Sequence, residues 1–409
     1  MARASQSVYR RRRIIVFGSL GVTLSLLAGV TTIALAPLPD ASVSPLTSTD
    51  LTSAPAQLTM PPFGTTVLSA DGFGILSEQN LDVPAPIASM AKVITALVVL
   101  DARPITPGNP GPSITFDAND VDALNRSIQN AESRADVIEG MTLSERDALT
   151  IMLVESANNY AWSLARWAFG SEENYVSLAN EWLTSHGFTS TVVTDASGLN
   201  PATQSTPRDL LGIAALALDN EVTAGAVSTV STSIDPIGEI DNSNKLLGIL
   251  GVNGVKTGTT DEAGACLLFS ADLPVGDSTV RLIGVTLGAP DHPSLDSALT
   301  EFLGSVQRGF HIVTPTESGK PLATETTAWG TATNLVAGET LSRVVWSSTP
   351  VNVTLPSAVT SIGASQSSAG NALITVGGET TPVPLIRETS VDDPGFFWRV
   401  SHLTALFAH

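Results

Sequence analysis

The sequence is short of several residue types, and each shortage excludes something. Cys266 is the single cysteine in 409 residues, so no intramolecular disulfide can form. It lies in the apolar run Ala263 to Ala271, where a thiol reads as a small buried core residue. The five histidines (His186, His292, His311, His402 and His409) show neither H-E-x-x-H nor H-x-x-x-H spacing, which argues against a zinc peptidase. Basic residues are scarce as well, 20 against 39 acidic ones. Five of them (Arg3 and Arg10 to Arg13) precede Pro37, so the rest of the chain holds 15 basic against 39 acidic residues, a formal charge of about −24. That balance excludes nucleic-acid binding and argues against adhesion to anionic lipid headgroups. It suits a domain kept soluble by its own charge.

Long hydrophobic runs are also rare, with one exception. Ile14 to Ala36 is uncharged and mostly apolar, and at about 1.5 Å per residue it is long enough to cross a bilayer as one helix. The preceding arginine block keeps residues 1–13 cytoplasmic as a basic tail and leaves everything after Pro37 outside. Ala34-Leu35-Ala36 resembles a signal-peptidase site, but Pro37 directly after it disfavours cleavage. The reading is a single-pass signal-anchor over 14–36; cleavage would instead release a secreted protein. Residues 37–60, rich in Ser, Thr, Pro and Ala, read as an extracellular tether.

What the chain does have is three short motifs in order: Ser89-Met-Ala-Lys92, Ser156-Ala-Asn158 and Lys256-Thr-Gly258. Pro84 and Pro86 stop any earlier helix, and the apolar spacing from Ile87 to Asp101 predicts one. Ser89 then lies at a helix N-terminus, where free N–H groups favour developing negative charge. Lys92, three residues on, shares its face. Burial beside another cation favours the neutral amine, a base able to take the serine proton.

Thr142-Leu-Ser-Glu145 matches a capping box, so Arg146 to Ala165 reads as largely helical, interrupted by the polar Ser156-Ala-Asn158. In a cleft, Ser156 can relay a proton and Asn158 can hold a substrate amide. Lys256 precedes an apolar strand: it supplies a cation for a carboxylate, Thr257 a hydroxyl, and Gly258 room for close backbone approach. Each motif alone also fits an ordinary helix start, polar turn or β-turn. The three in order describe serine acyl transfer with a lysine base.

With these motifs the chain resembles the D-alanyl-D-alanine carboxypeptidases, the low-molecular-mass penicillin-binding proteins of the serine peptidase class. Further segments carry the likeness: Pro86 to Leu97 around the nucleophile, Met152 to Asn159, Asp195-Ala-Ser-Gly-Leu199 with Ser205 to Leu210, Asn242 to Leu247, and Val255 to Gly264. The resemblance covers about Pro61 to Phe310. It implies catalytic roles for Ser89, Lys92, Ser156, Asn158 and Lys256, substrate binding by Thr257, Gly258 and Thr259, and no metal or cofactor. It also implies an oxyanion between the N–H groups of Ser89 and Thr259. The implied partners are peptidoglycan stem peptides ending in D-Ala-D-Ala, β-lactams as covalent inhibitors, and the membrane through the N-terminal helix, with no nucleic acid. The catalytic domain would then stand outside the cell membrane, facing the wall.

In one place the chain departs from its relatives. They often carry an arginine soon after the strand following the third motif, whereas Val285 to Val306 has no Arg or Lys. Either Lys256 with Thr257 and Thr259 grips the terminal carboxylate, or Lys245 helps.

The expected fold is α+β. Hairpins at Thr65–Ser69 with Phe73–Ser77, and at Ala263–Ala271 with Thr279–Leu287, form one antiparallel sheet covered by helices, with a helical insertion between them. The catalytic domain spans 61–311. Residues 312–409, with short alternating runs, read as a small C-terminal β-sandwich. Its aromatic end, Pro394 to Val400, reads as packing onto that sandwich, or else as an interaction patch. Two rivals stand beside the carboxypeptidase. A serine β-lactamase needs a glutamate to activate the deacylating water, and no E-x-x-L-N is present. A silent wall-binding scaffold has no need of Ser89, Lys92 and Lys256.

Overall fold

The computed structural model describes residues 6–46, 51, 53–106 and 108–407. The readings placed on residues 1–5 of the basic tail, on 47–50 and 52 of the tether and on His409 lie outside these. The chain forms two compact units, Pro55–Phe310 and a second made of Met1–Ala54 with His311–His409.

The first unit is built on Thr65–Ala70 (β1), Gly74–Ser77 (β2), Val252–Thr260 (β3), Gly264–Val275 (β4) and Ser278–Ala289 (β5). They pair antiparallel in the order β3-β4-β5-β1-β2, so strands from both ends of the unit share one sheet and β3 forms an edge. The interior strand β4, next to the β3 edge, is apolar almost without alternation and buried along most of its length. Helices Pro207–Asp219 and His292–Gly309 both pack on it, and a strand covered in this way loses the polar face of a half-exposed sheet.

Between β2 and β3 runs the helical part, including Ala91–Ala102 (α1), Glu145–Val154 (α2) and Asn158–Phe169 (α3). Ten consecutive residues of α1, Ala91 to Leu100, are buried, which makes it the central helix of the unit's core. The helix does not start at Ile87. A 3₁₀ turn, Ala88–Met90, precedes it, with Ala88 at φ +45°. The box predicted at Thr142 is displaced too: Ser144 caps α2, its Oγ accepting from Asp147 N at 3.1 Å, because Thr142–Ser144 is taken up as a short strand against Ser113–Thr115. Glu145 is left inside, buried with neither carboxylate oxygen hydrogen-bonded among the described residues.

The second unit carries the helix Gln6–Leu35, none of whose apolar window is buried; it is long and apolar enough to cross a membrane. It also holds a seven-stranded antiparallel sheet. Ala41–Pro45 runs there between Pro321–Thr326 and Ala358–Val359. This corrects the tether over 37–60, since its first part is an interior strand of the C-terminal β domain. Serines at alternate, outward positions (Ser42 and Ser44) and the exposed Pro45 at its end hid it, while Ala41 is fully buried in the sheet's apolar cluster. The expected sandwich takes the form of this one large sheet with the separate pair Phe310–Thr316 and Leu341–Trp346. Of the terminal aromatics, Trp398 meets Trp329 edge-on at 5.6 Å, whereas Phe397 is 88% exposed.

Candidate active site

The nucleophile motif gains its geometry from the 3₁₀ turn. Ser89 is half-buried, and Lys92, at the first turn of α1, is fully buried with Nζ 2.8 Å from Ser89 Oγ. The same amine donates to the Ser197 carbonyl at 2.9 Å. That carbonyl belongs to a turn locked by Asp195, whose carboxylate accepts from Ser197 N and Oγ, Leu199 N and Thr203 Oγ1. Gly198 completes the turn at φ +81°, and a Cβ there would stand 1.9 Å from the Ala88 carbonyl oxygen. The sequence marked this segment by resemblance but assigned it no role. In the structure it orients the lysine.

Burial first, then the charge of Lys256, hold Lys92 well below the ordinary lysine range; Asp195 and Glu132 oppose this weakly. Lys256, fully buried on β3, is pushed down to about 7 by desolvation. Among the described residues neither lysine has a carboxylate within ion-pair distance. Burial together with the charge of Lys256 therefore favours the neutral form of Lys92.

The third motif meets the first directly. A Cβ on Gly258 would lie 3.1 Å from Ser89 N, Ile87 O and Ala88 Cβ, so only glycine lets the edge strand approach this turn without displacement. Thr257 Oγ1 lies 2.6 Å from Ser243 Oγ, and Lys256 Nζ donates to Ser243 Oγ at 3.3 Å. Exposed Thr259 stands 2.7 Å, through Oγ1, from His292 Nε2.

The second motif lies at the junction of α2 and α3. Ser156 is buried with φ +61°, a conformation rare for a residue with a side chain, and Asn158 opens α3. Asn158 Nδ2 donates to Glu132 Oε2 at 3.4 Å, and its Oδ1 is buried without a hydrogen-bond partner among the described residues. Glu132 is also close enough to act on Lys92. Ser243, Ser197, Glu132 and His292 were therefore missed as neighbours of the site; only fold-level contacts reveal them. Lys245, an alternative carboxylate grip, is exposed and donates to the Asn242 carbonyl at 3.0 Å.

The arrangement offers an activated hydroxyl, an adjacent base, a second cation and a free strand edge in one place, the parts of an acyl-transfer site. The family model described as D-alanyl-D-alanine carboxypeptidase (peptidase S11) matches residues 66–291. The D-alanyl-D-alanine carboxypeptidase DacA of Escherichia coli is 28% identical over 260 residues, 63% of this chain and 63% of that protein. Among solved structures, the Streptomyces K15 DD-transpeptidase is similar with a TM-score of 0.53 at 25% identity, over 62% of this chain and 98% of that one. Penicillin binding protein 5 from Haemophilus influenzae shares the fold over 83% of this chain and 100% of its own, with a TM-score of 0.57 at 23% identity.

Proposed function

The chain belongs to the D-alanyl-D-alanine carboxypeptidase family, and from that premise we propose that it is a serine-type D-Ala-D-Ala carboxypeptidase acting on peptidoglycan stem peptides. Ser89 Oγ attacks the carbonyl between the two D-alanines while neutral Lys92 takes its proton. The tetrahedral oxyanion is held by the N–H groups of Ser89 and Thr259, donors already in place when charge develops. The intermediate collapses with rupture of the C–N bond, and the proton held by Lys92 passes to the leaving amine through Ser156, with Lys256 assisting, which returns Lys92 to its neutral form. Water then attacks the Ser89 ester, Lys92 accepting its proton; the second intermediate collapses with rupture of the C–O bond, and Lys92 returns that proton to Ser89 Oγ. The unpartnered Asn158 Oδ1 accepts from the N–H of the substrate's acyl half. Thr257, Gly258 and Thr259 offer the β3 edge for antiparallel pairing with the peptide. Penicillin acylates the same serine, because its strained amide imitates the D-Ala-D-Ala unit.

The observation that carries this reading is the 2.8 Å approach of Ser89 Oγ to a fully buried lysine that has no ion-pair partner among the described residues. Such a burial is costly unless the neutral amine is what the site uses. In this reading the helix Gln6–Leu35 is a single-pass anchor in the cell membrane, with the basic tail inside and both the catalytic unit over 61–311 and the C-terminal β domain over 312–409 outside, on the side of the wall.

Intact mass tests it on the detergent-solubilised chain, first with penicillin and then with a D-Ala-D-Ala-terminated peptide, beside Ser89→Ala. The expected result is one stable adduct, lost in the variant, and loss of one alanine from the peptide. Rapid penicillin turnover with an untouched peptide would make the chain a β-lactamase. Neither adduct nor cleavage would leave a silent scaffold.

A further inference from the structure

The stretch Val285 to Val306 lacks Arg and Lys, yet the mouth of the site does hold a titratable cation. His292 is the first residue of the helix His292–Gly309 (α4), which follows β5. Its half-buried ring places Nε2 2.7 Å from the hydroxyl of Thr259, the exposed residue that directly follows the third motif. Three charged groups act on the imidazole: Asp296 one turn along α4, Lys256 on β3, and Asp291, which caps α4 by accepting from Ser294 N at 2.8 Å. Burial holds His292 below the ordinary histidine value; the two aspartates oppose this and Lys256 adds to it. At neutral pH with no ligand bound the ring is therefore mostly uncharged.

We propose that His292 is a positioning residue for the terminal carboxylate of the leaving D-alanine, acting through Thr259, and that it makes the preference for that carboxylate depend on pH. The inference rests on the carboxypeptidase reading above. Protonated His292 donates Nε2–H to Thr259 Oγ1, which turns the threonine O–H toward the substrate carboxylate and adds a positive charge beside it. An arriving anion in turn favours the imidazolium, so binding takes up a proton. A fixed guanidinium would give the same grip without the pH dependence.

The test compares kcat/KM for an acylated D-Ala-D-Ala peptide with that for its C-terminal carboxamide, on the full chain in detergent, from about pH 5.5 to 8.5. The ratio cancels groups that both substrates share, Lys92 among them. For the unmodified chain the ratio should rise as pH falls. His292→Arg should keep it high and flat. His292→Ala should raise KM for the carboxylate peptide by roughly tenfold with kcat little changed, and should flatten the profile. Penicillin should still label Ser89 in both variants.

If His292→Ala keeps both the ratio and its slope, the role is overturned and the titrating group is Lys256. Failure of penicillin to label the unmodified chain would remove the carboxypeptidase reading itself, and this inference with it. Labelling separates the two failures.

Discussion

The two units bury charge in opposite ways. In the catalytic unit Lys92 and Lys256 lie fully inside and, among the described residues, have no ion pair, and Glu145 has no hydrogen-bond partner there for either oxygen. In the second unit Arg387 and Glu325, 3% and 0% exposed, form a two-pronged pair at 2.8 and 3.2 Å. Arg387 further donates to Ser367 Oγ and to the carbonyls of Ser368 and Thr360. A buried ion stripped of water is tolerable when its lone pairs and protons are all taken up. Where they are not, the group changes its protonation instead. The paired charge of the β domain reads as structure, and the unpaired charge of the catalytic unit reads as chemistry held in readiness.

The sharpest way to break this contrast is to remove one cation from each unit. Lys92→Met should reduce penicillin acylation of Ser89 by roughly a thousandfold or more, since a general base supplies about that much. It should cost little stability, because the buried amine it removes is held neutral and has no ion-pair partner among the described residues. Arg387→Met should do the reverse: acylation retained, and stability of the second unit lowered by about 3–5 kcal/mol, the usual cost of stranding a buried carboxylate. Labelling rates and denaturant unfolding measure the two sides. Equal stability losses would show that both lysine and arginine are structural.

A smaller effect concerns what the sequence left illegible. The three motifs, the two hairpins of the catalytic sheet and the α+β architecture are readable, because each rests on local spacing or short-range pairing. Ala41–Pro45 is not, because its partners lie near residues 323 and 358, and a five-residue strand with outward serines carries almost no periodic signal. The catalytic neighbours His292, Ser197 and Glu132 were illegible for the same reason, since they meet the motifs only across the fold. A chain beginning at Leu38 should therefore keep the sheet intact, whereas one beginning at residue 60 leaves Pro321–Thr326 and Ala358–Val359 without the strand between them. The shorter chain should lose cooperative unfolding of the β domain and gain aggregation, both visible by calorimetry and light scattering. Identical melting of the two would mean that the strand contributes nothing.

The smallest effect comes from Glu145, the unpaired carboxyl at the start of α2. Desolvation raises it to about 7 from an ordinary value of 4.5, with Arg103 opposing. Between those two values the folded chain holds a proton that the unfolded chain has released, so stability falls as pH rises across that window and stays reduced above it. Glu145→Gln removes the cost of ionising a buried acid. It should therefore stabilise the catalytic unit at pH 8 by about 1–2 kcal/mol and by much less at pH 5, with penicillin labelling unchanged. Denaturant midpoints at the two pH values measure the difference. A gain that is the same at both would place the effect in packing instead of charge, and Glu145 would no longer belong with the two lysines as a buried group whose protonation is set by want of a partner.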